Sequence, residues 1–200
     1  MIESLGNEGS LHEAINLCLR LLEQLGCHFP KRGASLKTVG KILTLRSTLR
    51  KVTADVISNM PDITNPLQLQ EMKLLSTLSR FTYLASHELS GLVLFKLLGR
   101  TLKYGFSDFG AQSLAGVCFI VTWYLGDFKE GKRLSDFCLQ FKERGSKAYY
   151  ACSTFGLHMC TMHHLVPMSL QLKPLLIGVS PCRTVDDLKL RSNTRLFLTR

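Results

Sequence analysis

Five residues towards the C-terminal end have the chemistry to hold a metal: Cys152, His158, Cys160, His163 and His164. Cys160 with His163 or His164 has the i, i+3 or i+4 spacing that puts two ligands on one helical face. A structural zinc site needs four converging ligands, however, and no Cys-x-x-Cys pair supplies the other two. Ordinary helix-face residues are the simpler reading, so no metal and no cofactor is expected. A Cys–His nucleophilic pair would also need an oxyanion hole that nothing in the sequence indicates. The run from Gly126 through Gly131 and Lys132 to Arg133 has the glycine and lysine spacing of a phosphate-binding loop. Such a loop follows a strand and places a Ser or Thr after the lysine, whereas here a helical pattern precedes and Arg133 takes that place. The run reads as an inter-helix turn whose glycines permit close packing, and no catalytic residue is expected.

The other available chemistry is electrostatic. Twenty-five Lys and Arg against 15 Asp and Glu give a formal net charge of +10, which is compatible with an anionic partner and says nothing about the fold. Lys96, Arg100 and Lys103 fall at i, i+4 and i+7. Lys129 and Arg133 sit on the polar side of a later segment, and the five together form the candidate interaction surface. Lys37, Lys41, Arg46, Arg50 and Lys51 load an earlier helix. Nucleic-acid binding would need these groups to converge with aromatic interleaving, and Tyr104 and Phe106 are the obvious aromatic neighbours. A solvated helical face is the preferred reading, with a nucleic-acid-binding module kept as an alternative.

Helical periodicity sets the elements that carry these residues. Ser10-Leu-His-Glu13 reads as a capping box before a stripe of Leu11, Ile15, Cys18, Leu22 and Leu25 that ends at Gly26. Leu36, Val39, Leu43 and Val52 suggest the apolar face of the basic helix. Met60 to Pro66 is a connector, and Asn65 before Pro66 caps a helix through Leu67, Leu74, Leu78 and Phe81 to about Leu84. Ser86 is expected to cap the next helix, with Leu89, Leu92, Val93 and Leu97, which runs to Tyr104 and stops at Gly105. Leu114 to Leu125 is apolar almost all round, broken by Gly116 and Thr122, and predicts a helix buried on every side. After Gly126-Asp127, Leu134, Phe137, Cys138 and Phe141 define one face opposite Lys129, Arg133, Asp136, Gln140 and Glu143. Further helices are expected from about Ser146 to His164 and from Pro167.

Helix pairs thus start near 65, 107 and 146, steps of roughly 40 residues, close to the longer two-helix repeats. The fold class expected is all-α, an α-α superhelix of degenerate tetratricopeptide-like repeats with about eight helices. The expected domains are an N-terminal extension over 1–9, the repeat domain over 10–178 and a basic, loosely ordered tail over 179–200. The longest apolar run is about a dozen residues against the ~20 that a spanning helix requires, so no membrane span is expected. Seven cysteines, several on apolar helix faces, fit a reducing cytoplasm.

Met60-Pro61-Asp62-Ile63-Thr64-Asn65-Pro66, Leu74-Leu75, Leu102-Lys103-Tyr104-Gly105 and Leu125-Gly126-Asp127-Phe128, with Gly131 and His163 to Pro167, carry a family resemblance. Over roughly Ala14 to Gly178 the chain resembles the helical-repeat region of large predicted-ATPase signalling proteins, some of them hybrid histidine kinases. It departs from that pattern at Lys132, Ser135 and His164. The resemblance implies a tetratricopeptide-like superhelix next to AAA-type ATPase and kinase modules, whose catalytic residues this chain does not contain. It implies a non-catalytic scaffold or regulatory segment for protein partners, including such modules. The alternative it leaves open is a segment, inactive alone, of an ATP-hydrolysing or phosphotransfer enzyme.

Overall fold

The computed structural model describes residues 10–30 and 33–140. The expected N-terminal extension, the metal-ligand candidates Cys152 to His164, the helices after Gly145 and the basic tail lie outside the described residues. Within them the fold is all-α, with seven helices: α1 (Leu11–Gln24), α2 (Ala34–Leu49), α3 (Ala54–Ser58), α4 (Pro66–Leu84), α5 (Ser90–Tyr104), α6 (Asp108–Leu125) and α7 (Phe128–Gln140). The chain divides into two compact units, one up to Ser113 and one from Leu114.

In the first unit α4 packs on α1 and α5, and α2 packs on α5. The middle of α4 is enclosed: Met72, Leu75 and Leu78 are fully buried, and Glu71, Ser76, Thr77, Ser79, Phe81 and Thr82 are buried with them. A run of hydroxyl residues can be buried in a helix because each can donate to a carbonyl of the preceding turn. Thr82 Oγ1 does so to the Leu78 carbonyl at 2.8 Å, and Ser76 Oγ donates to Gln112 Oε1. The expected Leu67 contact is not made, since Leu67 is exposed on the first turn.

The helix ends obey local chemistry. Asn65 Oδ1 accepts the Leu67 N–H at 2.9 Å with Pro66 in the first turn, as its sequence demands. Gly26, at φ 78, ends α1 in a Schellman motif: its N–H meets the Glu23 carbonyl and the Cys27 N–H meets that of Leu22. Two expected caps are not made. Ser10 precedes α1 without a side-chain cap hydrogen bond. Ser86 instead takes the left-handed position after α4 at φ 49, closing a second Schellman motif through His87 N–H to the Thr82 carbonyl.

The largest correction concerns α2. Its buried residues are Ala34, Leu45 and Leu49, whereas Leu36, Val39 and Leu43 are 80%, 53% and 78% exposed. At 3.6 residues per turn the two apolar sets lie roughly 140° apart. Either could have faced the core, and α5 meets the other one, with Thr38 seated against Gly91. The chain then breaks at Arg50, and Thr53 caps the short α3 by accepting the Val56 N–H.

In the second unit α6 is less enclosed than its sequence suggests. Leu114, Val117, Cys118, Ile120, Val121 and Thr122 are buried, but Trp123 and Tyr124 are exposed. Asp127 Oδ1 accepts the Glu130 N–H at 3.1 Å and starts α7. Gly131 lies where a Cβ would collide with Thr122 Oγ1, and the Cys118 thiol donates to its carbonyl at 3.0 Å. Leu134 and Phe137 of the α7 stripe are buried, and Phe141 lies outside the described residues.

Leu43 and Leu45 provide the decisive pair. Leu45→Ala is expected to cost about 2–5 kcal/mol and Leu43→Ala under about 0.5 kcal/mol in reversible urea denaturation. The opposite ranking would mean that α2 packs through its other face. Phe137→Ala is expected to cost about 3–5 kcal/mol.

Candidate functional site

Among the described residues, a group of ionisable and nucleophilic side chains gathers where α4, α5 and the turn after α1 meet. Glu71 is the only acid in α4 and is 4% exposed. Arg100, one turn before the end of α5, places Nε 2.8 Å from Glu71 Oε1, and the Tyr104 hydroxyl donates to Oε2 at 3.0 Å. Arg100 also stacks on the Tyr104 ring at 5.2 Å. Cys27 is buried beside them, close enough for Glu71 and Lys96 both to act on its thiol. Lys96 is one helical turn before Arg100. It lies 3.7 Å from Cys27 Sγ, donates to the His28 carbonyl and covers the Phe29 ring at 4.5 Å.

The electrostatics are those of a structural lock. Burial pushes the Cys27 thiol up; Lys96 opposes this and Glu71 reinforces it. Burial likewise raises Cys18, to about 11, with Arg80 opposing. Nucleophilic sulfur chemistry needs the thiolate, so both cysteines are unreactive near neutral pH. Burial and the hydrogen bond to Glu71 raise Tyr104. Burial would lower Arg100, but Glu71, aided by Tyr104 and Cys27, leaves it raised.

The geometry revises the candidate basic surface. Lys96 and Arg100 are half-buried and engaged by Phe29, His28 and Glu71, while Lys103 is exposed with its amine 5.8 Å from the Tyr104 ring. In the second unit Lys129 is exposed, and Arg133 pairs with Glu130 at 2.8 Å and covers the Phe137 ring at 5.0 Å. The Glu130 hydrogen bond raises Arg133 above its ordinary value, with burial opposing. Of the five residues, Lys103 and Lys129 remain solvent-facing. The phosphate-loop spacing resolves into a turn at Gly126, at φ 63, and a helix-packing glycine at Gly131.

Two motifs from different stretches meet in the first unit. Phe106 N–H donates to the Pro61 carbonyl at 2.7 Å, and Ile63 N–H donates to the Phe106 carbonyl at 3.0 Å. Gly105, at φ 112, lies against that Pro61 carbonyl where a Cβ cannot fit. The Met-Pro to Asn-Pro connector and Leu-Lys-Tyr-Gly therefore form one joint. It fixes the end of α5 that carries Tyr104.

Sequence reasoning missed Glu71, because its partners are 29 and 33 residues away. Its signal was a single carboxylate in an otherwise acid-free helix. It also missed an aromatic corner at the α6–α7 turn. There Trp123 is 53%, Tyr124 71% and Phe128 45% exposed. Phe119 lies 6.4 Å from the Trp123 ring and 6.3 Å from that of Tyr124.

Among the described residues there is no cluster of three or more His, Cys, Asp or Glu placed to hold a metal, and no helix long and apolar enough to cross a membrane. No protein-family model matches the chain, and neither does any curated protein or solved structure.

Removing the Glu71 carboxylate strands Arg100 and the Tyr104 hydroxyl. Loss of one partner from a fully buried pair costs about 3–5 kcal/mol. Arg100 retains access to water, so Glu71→Ala is expected to cost about 2–3 kcal/mol in urea denaturation at neutral pH. A second expectation concerns pH. Below 9.0 the Cys18 thiol is neutral in both folded and unfolded chains; between 9.0 and about 11 only the unfolded chain releases the proton. Stability therefore falls as pH rises through that window, with Cys27 and Tyr104 acting in the same direction. Cys18→Ala should flatten the alkaline fall in denaturation midpoint, and an unchanged slope would refute the assignment.

Proposed function

We propose that this chain is a non-catalytic helical segment that binds a protein partner through the α6–α7 aromatic corner, in a signalling assembly of the predicted-ATPase or kinase kind that its sequence resembles. The carrying observation is the exposure of Trp123, Tyr124 and Phe128 on one short turn. Tryptophan and tyrosine supply much of the binding energy at protein interfaces, because each buries a large rigid area at little entropic cost. Phe119 supports two of these rings from below, and exposed Lys129 beside Phe128 adds a cation at the rim. A partner with an apolar pocket edged by acidic groups fits that chemistry.

Two further features support the reading. The first helices of successive pairs, α4 at Pro66 and α6 at Asp108, start 108 − 66 = 42 residues apart, a step in the range of two-helix repeats. The ionisable groups of the first unit's buried cluster are bound to one another, which leaves them a structural role. Cys18, Cys27 and Cys118 are buried and form no disulfide, consistent with a reducing, cytoplasmic setting.

The chain's single tryptophan makes a direct test possible. Titration with a purified AAA-type ATPase module or histidine kinase module should shift Trp123 emission to the blue, and Tyr124→Ala or Phe128→Ala should weaken that binding at least about tenfold. Absence of a shift with both modules, or ATP hydrolysis by the chain alone, would overturn the proposal.

A further inference from the structure

Among the described residues, five hydroxyls have a Lys or Arg three positions earlier: Ser35 after Arg32, Thr44 after Lys41, Thr53 after Arg50, Ser76 after Lys73 and Ser135 after Lys132. A protein kinase can read that spacing, because an acidic subsite holds the cation and so sets the register of the hydroxyl that follows. The fold separates the five. Ser76 and Ser135 are buried. Thr44 lies within α2, its Oγ1 turned back onto the carbonyls of Gly40 and Lys41. Ser35 lies in the first turn of the same helix and donates to Glu88 Oε2 at 3.5 Å, beside a carboxylate that repels an incoming triphosphate. Thr53 lies between helices, in the connector that joins α2 to α3, with extended backbone at φ -107 and ψ 166.

From this we infer that Thr53 is a phosphorylation site, the substrate hydroxyl of a Ser/Thr kinase whose acidic subsites read Arg50 and Lys51. All three residues are exposed, and neither cation pairs with an acid among the described residues. The Thr53 oxygen accepts the Val56 N–H at 3.3 Å, and its own O–H donates to no group among the described residues. A kinase takes its substrate extended, so a site inside a helix has first to be unwound. α2 has 16 residues, whereas the helix that follows Thr53 has five and is too short to be stable alone. Opening of such a segment costs little. Val52 is the one buried side chain from Arg50 to Val56, so it alone has to be withdrawn. In the transfer Thr53 Oγ1 attacks the γ-phosphorus of ATP. The bond from that phosphorus to the β–γ bridging oxygen breaks, its electron pair leaves on ADP, and the hydroxyl proton passes to the kinase's catalytic carboxylate. The product carries about two negative charges, in a stretch that holds no Asp or Glu between Glu23 and Asp55.

The test is incubation of the full chain with Mg-ATP and the catalytic subunit of cAMP-dependent protein kinase, which selects arginine ahead of its target hydroxyl, with the phosphate located by tandem mass spectrometry. Thr53 should be labelled at least about tenfold faster than Ser35 or Thr44. The double variant R50Q/K51Q alters exposed positions only, so it should keep the native helical circular dichroism while Thr53 is labelled at least about tenfold more slowly. T53S keeps both the oxygen that caps α3 and the nucleophile, and it should still be labelled at position 53. Label confined to Ser35, Thr44 or the hydroxyls of the tail would overturn the inference. So would no labelling at all, or labelling of Thr53 that R50Q/K51Q leaves unchanged, since the hydroxyl would then be reached without the two cations.

Discussion

A carboxylate withdrawn from water has to be met by a cation and by hydrogen-bond donors, and in the first unit that constraint falls on Glu71. Arg100 meets one oxygen and Tyr104 the other, so α4 and α5 are held in one relative register. Tyr104 is in turn fixed by the two residues after it. Gly105 turns the chain against the Pro61 carbonyl, and Phe106 pairs with the connector that leads into α4. The end of one helix and the start of another are thereby tied to the same charged pair. Lys96 extends the arrangement to the turn after α1 through His28 and Phe29. A cluster with the composition of a reactive centre thus works as a joint between elements, and its thiol is held neutral by the burial that surrounds it.

Two exposed apolar surfaces among the described residues differ in kind. At the α6–α7 turn the exposed groups are aromatic, with large flat areas suited to a pocketed protein. On α2 they are the aliphatic side chains Leu36, Val39 and Leu43. The difference arises from composition. The α6–α7 turn draws on a segment dense in rings, whereas α2 has none and carries Lys and Arg without a compensating acid.

Much of the fold was legible from residue pattern. Asn65 with Pro66 marked the start of α4, Gly26 and Gly105 marked two ends, and the stripes of α1 and α5, with Leu134 and Phe137 of α7, fell on the buried faces. The failures have physical causes. The core of α4 passes through Leu75-Ser-Thr-Leu-Ser79, polar by composition yet buried: Ser76 donates to Gln112, and one turn on Thr82 donates to the Leu78 carbonyl. Ser86 carries a capping side chain but occupies the left-handed turn that ends the previous helix. The candidate basic surface was legible as charge and not as availability, since the partners of Lys96 and Arg100 come from distant parts of the chain.

What the sequence determined by itself was local: where helices begin and end, that they are helices, and which segments are rich in cations or rings. Capping, glycine conformation and a 3.6-residue period act over a few positions, so their signals survive in one dimension. Only tertiary structure decided which of two apolar faces on α2 was covered, that Glu71 would claim Arg100 and Tyr104, and that Trp123 and Tyr124 would be exposed at the end of an apolar helix. Each of those outcomes depends on which side chains meet across the packed elements. Burial and pairing are properties of a contact between segments, and a pattern within one segment does not encode its partner.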